Sequence, residues 1–233
     1  MRNFKIVLQY EGTRYQGWQR QESTQNTIQG KLERLLSRLA GTEVEIQASG
    51  RTDAGVHACG QVANFHMDTQ LSAQELMGKI NEYLPEDIAV IAIEEVPERF
   101  HSRLNAKGKT YRYRVLNSAV PHIFERRYVY VFPEKLDVDA MRRAAALLCG
   151  THDFRAFTSA KKSRKSTVRS VDSIDIERMG DEIWFTFSGN GFLFHMVRIL
   201  MGTLLEVGSG KRRAEEMTEL LENGKREDAG PLV

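Results

Sequence analysis

The chain has 233 residues, enough to bury one large core or two small ones, and its 41% hydrophobic and 27% charged residues exclude a disordered or fibrous protein. Its net charge of 33 − 31 = +2 indicates no partner by itself, and the two cysteines, Cys59 and Cys149, form no CxxC pair, which argues against a disulfide framework and a zinc site. The N-terminal MRNFKIVLQY lacks an apolar signal core and no uncharged apolar run approaches the roughly 18 residues of a membrane span, so a cytosolic protein is expected, with no membrane contact.

In chain order, Phe4, Ile6, Leu8 and Tyr10 alternate with more polar neighbours and predict a first strand. A loop rich in Gly, Gln and aromatic residues (EGTRYQGWQRQ) follows. Ile28, Leu32, Leu35, Leu36 and Leu39 share one helical face, and Gly41 stops that helix. Val44 and Ile46 begin a second strand, and residues 61–67 read as a third. Ser72 and Glu75 form a capping-box pattern before a helix that Pro85 ends, and residues 88–96 read as a fourth strand. The order β-α-β-β-α-β is the split βαβ, or ferredoxin-like, arrangement.

A second half is expected to repeat this order except for its last strand. Residues 110–116 and 128–132 predict strands, and Asp137 caps a helix that Gly150 closes. Residues 151–167 read as a polar loop, and strands at 168–177 and 182–188 flank the turn Met179-Gly180-Asp181. Residues 191–208 read as an apolar helix, and 213–223 as another. The fold class is thus α/β (α+β), with halves at 1–105 and 106–233.

Charge is unevenly distributed. Residues 99–116 hold six basic residues and no acid: Arg99, Arg103, Lys107, Lys109, Arg112 and Arg114. Residues 155–171 again hold six and none: Arg155, Lys161, Lys162, Arg164, Lys165 and Arg169. Tyr111, Tyr113, Phe154 and Phe157 lie within or beside these runs. Basic runs with aromatic neighbours suit a polyanion whose bases stack, although a single charge run is usually a solvated face. Gly189-Asn190-Gly191 fails as a dinucleotide fingerprint because Phe194 occupies the third glycine position, and Gly210-Lys211 fails as a P-loop because Arg212 follows.

The stretch with most chemical content is Ser49-Gly50-Arg51-Thr52-Asp53-Ala54-Gly55-Val56-His57-Ala58, a carboxylate between two glycines. An Asp so placed is usually a turn residue bonding its own backbone, but here it can also be aimed outward. Three classes fit: an enzyme using Asp53, a non-catalytic RNA-binding protein, and a metal-dependent nuclease. The nuclease needs clustered carboxylates, and the acids within fifteen residues of Asp53 are Glu43, Glu45 and Asp68, none of them closer than eight residues.

The string SGRTDAGVHA closely resembles the catalytic segment of the tRNA pseudouridine synthase A family. YEGTRYQGWQRQ is similar to that family's N-terminal signature, RFHSRLNAKGKTYRYRV to its second motif and GNGFLFHMVRILMGTLLEVGSGK to its third. The resemblance covers nearly the whole chain and implies the pseudouridine synthase fold, two ferredoxin-like halves meeting at a central active-site cleft. It implies isomerisation of uridine at positions 38, 39 or 40 in the anticodon stem-loop of tRNA, without metal or cofactor, by a homodimer. It makes Asp53 the nucleophile, Tyr111 the contact to the target base, Arg198 the basic partner of Asp53 and Arg51 a participant in flipping the nucleotide. Arg103, Lys107, Lys161, Lys162, Arg164 and Lys165 are then candidate phosphate contacts. Family members normally continue past the AG-P segment into a final strand, whereas this sequence stops at Pro231-Leu232-Val233; either the sequence is truncated or that strand is absent, and a less complete second core is expected.

Overall fold

The structure is a computed structural model that describes residues 1–160 and 166–233. Lys161, Lys162, Arg164 and Lys165 lie outside the described residues. The chain divides into two compact units, Met1–Ala106 and Lys107–Val233.

The first unit runs β1 (Arg2–Tyr10), α1 (Ile28–Ala40), β2 (Ile46–Ala48), β3 (Ala58–Met67), α2 (Ala73–Tyr83) and β4 (Ile88–Val96). These strands form one antiparallel sheet in the order β2-β3-β1-β4. Alternation puts Phe4, Ile6 and Leu8 of β1 in one core with Leu32 and Leu36 of α1 and Leu76 and Ile80 of α2, all fully buried. The Thr27 hydroxyl accepts from the Gly30 N–H at the start of α1, and Gly41 ends it at φ +71°, the left-handed region. The Ser72–Glu75 capping box opens α2, and Leu84 turns extended ahead of Pro85.

The second unit contains β5 (Lys109–Leu116), β6 (Tyr130–Val131), α3 (Val138–Leu148), β7 (Gly150–Asp153), β8 (Val168–Met179), β9 (Glu182–Gly189), α4 (Met196–Gly208) and α5 (Glu216–Glu222). Its sheet has the order β6-β5-β9-β8-β7. Antiparallel β5, β9 and β8 with α3 and α4 reproduce the first unit's order, but no strand follows α4 among the described residues. The edge beyond β5 carries β6 instead, paired in parallel.

Three sequence expectations change in this unit. Residues 151–157 are not a polar loop: β7 pairs with β8, a 3-10 turn covers Arg155–Phe157, and Phe154, Ala156 and Phe157 are fully buried. Full burial of a Phe contributes about 1.5–3 kcal/mol, as much as the about 1–3 kcal/mol from stacking on a base. Leaving the core would also open a cavity, so Phe154 and Phe157 are core residues, not stacking residues. The last long helix begins at Met196, not at residue 191, because His195 sits at φ +62° and breaks the helical path. Gly150 lies in β7 rather than at the helix end, where Cys149 is the cap.

Residues 229–233 lie along α4. A Cβ on Gly202 would meet the Pro231 carbonyl oxygen at 2.0 Å, so only glycine allows this approach. Thr203 accepts from the Gly230 N–H at 3.0 Å, and the Arg198 Nε donates to the Val233 main-chain oxygen at 2.7 Å. Among the described residues, no helix is long and apolar enough to cross a membrane.

Candidate active site

In the first unit, residues 49–57 bridge β2 and β3, and residues 11–27 pack directly on them. The Trp18 N–H donates to the Thr52 carbonyl at 3.0 Å and the Gly55 N–H to the Tyr15 carbonyl at 3.1 Å, one bond on each side of Asp53. The Tyr10 hydroxyl, at the end of β1, bonds the Thr52 hydroxyl at 2.9 Å, and Gln61 of β3 donates to the Gly50 carbonyl at 2.6 Å. The Val56 N–H closes the turn onto the Asp53 carbonyl at 3.2 Å. The Thr52 and Asp53 carbonyls and the Gly55 N–H are thus paired, and Asp53 is half-buried.

Two glycines permit this close packing. A Cβ on Gly12 would stand 2.0 Å from the Val56 carbonyl oxygen. Gly17 has φ +88°, and a Cβ there would lie 2.7 Å from the Thr52 carbonyl oxygen and 3.1 Å from the Asp53 carbonyl carbon. Gly17→Ala should therefore move the Asp53 turn. A displacement of about 1 Å costs about a hundredfold in rate, so single-turnover isomerisation should fall by about that factor while tRNA affinity changes little. Parental turnover in Gly17→Ala would show that the contact does not position Asp53.

The covering loop is itself anchored. Tyr15 and Trp18 are buried at 4% and 2% exposure, and the Tyr15 hydroxyl donates to Asp87 at 2.6 Å. Arg14 pairs with the same Asp87 carboxylate, also at 2.6 Å. Burial pushes the Asp87 carboxyl up, but the Tyr15 hydroxyl and the Arg14 guanidinium outweigh it and hold it below the usual carboxylate range. On the other side, Glu33, 5% exposed, accepts from Arg20, Gln29 and the Ile46 N–H, joining the loop to α1 and β2. Sequence reading singled out the turn and missed these residues that seat it. The glycine spacing within EGTRYQGW was the available signal.

The other candidates in this unit are exposed. Arg51 lies in the extended stretch before Asp53, and Arg103 follows β4 in a turn where its N–H donates to His101 Nδ1 at 3.2 Å.

In the second unit, Tyr111 is half-buried on β5 opposite Phe187 of β9, with its ring edge-on to Phe192 at 5.3 Å between centroids. Tyr113 shares its face of the strand. Burial raises the Tyr113 hydroxyl pKa, and the positive charge of Arg198 partly opposes that rise. Tyr111, Phe192, Tyr113 and the start of α4 with Arg198 therefore share one end of this unit. Arg198 does not pair with Glu206, whose carboxylate takes Arg212 at 3.0 Å. Lys107 is exposed just before β5.

The basic runs separate once side chains are seen. Arg112 stacks over Trp184 at 4.7 Å on the opposite face of β5, and Arg114 pairs with Glu182 at 2.7 Å and Glu125 at 2.8 Å. Arg155 pairs with Asp153 at 2.8 Å. These cations already have protein partners. Among the described residues, no group of three or more His, Cys, Asp or Glu is placed to hold a metal ion.

Comparison with known proteins agrees with this arrangement. The profile of a family described as tRNA pseudouridine synthase matches residues 6–105 and 144–233. The chain is 46% identical over 230 residues to tRNA pseudouridine synthase A of Bacillus sp. (strain KSM-64), covering 99% of this chain and 94% of that protein. It is 45% identical to tRNA pseudouridine synthase A 2 of Bacillus cereus (strain ATCC 14579) over 100% of this chain and 95% of the relative. The corresponding protein of Acetivibrio thermocellus is 44% identical over 99% of this chain and 94% of its own length. A match over both units and nearly the full length, with Asp53 and Arg198 inside the matched segments, shows that the chain belongs to the tRNA pseudouridine synthase family, a family of isomerases.

Proposed function

We propose that this chain isomerises uridine to pseudouridine at positions 38, 39 or 40 of the tRNA anticodon stem-loop, with Asp53 as nucleophile. The observation that carries this reading is the seating of the Asp53 turn. Two backbone hydrogen bonds and two glycine contacts fix the main chain around one carboxylate within a segment that resembles the family's catalytic string.

The reaction conserves every atom. The N1–C1′ bond breaks, a C5–C1′ bond forms, the C5 proton leaves to a base or water, and N1 gains a proton. A carboxylate that attacks the sugar or the base and departs again allows the uracil to turn between these steps, so no redox or metal chemistry is required by the balance. The target lies in a stacked stem and must first be flipped out, at a cost of a few kcal/mol. In this proposal Arg51 occupies the vacated space, Tyr111 holds the extruded base, and Arg198 keeps Asp53 ionised and oriented. Arg103 and Lys107 contact phosphates, as do Lys161, Lys162, Arg164 and Lys165. The enzyme acts as a homodimer in the cytosol.

The test is nucleoside mapping of tRNA transcripts that keep a uridine at only one of positions 38, 39 and 40. Pseudouridine should form at one or more of these sites, with EDTA present after tRNA folding. Pseudouridine confined to other positions, or a requirement for added metal, would contradict the proposal.

A further inference from the structure

At the opposite end of the second unit from Tyr111 and Arg198 lies an open cavity of about 1000 Å³. It sits between the start of α3, the end of α4 and the end of β8. From Arg198 to Gly208 along α4 is about 15 Å, and from Tyr111 to Asn117 along the β5 strand direction is about 20 Å. The cavity is therefore distinct from the cluster around Tyr111.

Its floor is apolar, with Leu136 and Ala214 buried. Its lining carries five basic residues, Lys135, Arg143, Arg178, Arg212 and Arg213, against three acids, Asp137, Asp139 and Glu215. Most of the acids, and two of the cations, have other partners. Asp137 accepts from the Ala140 N–H as the cap of α3, and Asp139 pairs with Arg142. Arg212 is held by Glu206 and Glu216, and Arg213 lies against Glu216. Arg178 donates to a neutral group, the Asn117 side-chain carbonyl, at 3.0 Å. Lys135, Arg143 and Arg178 have no carboxylate partner among the described residues, so three cations converge here against the two lining carboxylates without a cation partner, Asp137 and Glu215.

The adjoining sequence Gly208-Ser209-Gly210-Lys211 is explained by the helix end. The Gly210 N–H donates to the Val207 carbonyl and the Lys211 N–H to that of Glu206, with Gly210 at φ +75°, the Schellman arrangement. Lys211 then pairs with Glu134. That assigns the glycines to the helix stop and leaves Lys135, Arg143 and Arg178 without such a role.

We propose that this cavity is a second anion site that takes a phosphodiester of the tRNA substrate outside the anticodon stem-loop. The proposal rests on the functional reading above. Exposed Arg and Lys side chains over an open concavity suit backbone phosphate, which needs charge and several donors but no base recognition. A separation of about 15–20 Å along α4 and β5 places this contact apart from the base held at Tyr111.

The test is the double variant Arg143→Gln/Arg178→Gln, compared with Arg143→Lys/Arg178→Lys, on full-length tRNA and on the isolated anticodon stem-loop. With full-length tRNA, the slope of log affinity against log salt should fall by about 1–2 units in the Gln variant and be largely restored in the Lys variant. Turnover and KM on the stem-loop should be unchanged in both. An unchanged slope on full-length tRNA overturns the proposal. An equal loss on the stem-loop also overturns it, because the two cations would then serve the modified stem. Titration with inorganic phosphate separates the sources: phosphate binding lost in the Gln variant with an unchanged tRNA slope would assign a small-anion site and refute the RNA contact. Failure of the parent protein to modify tRNA would count against the functional reading, whereas these slopes are read from binding alone.

Discussion

Asp53→Asn should reduce uridine isomerisation by at least about 10⁴-fold while tRNA affinity stays constant or rises. Removing the nucleophile from an enzyme that forms a covalent intermediate costs rates of this order, because the remaining groups only bind and orient. Asn preserves the size of the side chain, and the bonds that seat the turn come from main-chain groups of Thr52, Asp53 and Gly55, which the substitution leaves in place. Unfolding is therefore not the expected cause of the loss. The carboxylate also repels an approaching phosphate backbone, so its neutralisation should not weaken binding. Gel-shift affinity and single-turnover rate, measured on the same preparation, separate the two effects. Turnover near the parental value would remove Asp53 from the chemistry.

Arg198→Met should lower turnover by about 10²–10³-fold, the usual effect of deleting one preorganised charge at a reacting centre. Arg198 occupies the first turn of α4, a helix whose remaining residues are largely buried, so its guanidinium is held by a fixed backbone. Its Nε also donates to the Val233 main-chain oxygen, and loss of that bond should reduce stability by about 1–3 kcal/mol. The two consequences have different signatures. Arg198→Lys keeps the charge without the planar fork and should recover part of the turnover, whereas a purely structural role would make rate follow the unfolding midpoint across both variants. A Met variant that is destabilised yet turns over normally would refute the proposed partnership with Asp53.

The first unit was legible because each of its elements carries a local signal. Strand β1 alternates, α1 ends in Gly41, α2 opens on Ser72 and Glu75, and Pro85 ends it. The second unit hides its packing in places where local signals point elsewhere. Phe154, Ala156 and Phe157 sit among polar and basic neighbours, so three buried residues read as loop. Residues 191–195 are apolar enough to extend a helix, and only the left-handed backbone at His195 stops it.

The candidate site divides in the same way. Asp53, Arg51, Tyr111 and Arg198 were visible through motif strings, which record chemistry directly. The contacts that seat Asp53 depend on how residues 11–27 fold back onto residues 49–57, which no local period encodes. Arg112 and Arg114 of the basic runs read differently for a related reason. Whether Arg112 and Arg114 face RNA or Trp184 and Glu182 depends on the register of β5 against β9, which places Arg114 opposite Trp184. Charge counted along a sequence does not include cross-strand partners.

The chemistry proposed for Asp53 is a carboxylate-dependent isomerisation of uridine in tRNA. The most direct measurement is tritium release from tRNA carrying 5-tritiated uridine, because forming the C5–C1′ bond expels the hydrogen at C5. With tRNA folded beforehand and EDTA present, the parent protein should release tritium up to the number of modified positions, and Asp53→Asn should release none while still binding the RNA. Binding without tritium release by the parent protein, or equal release by both proteins, would contradict it.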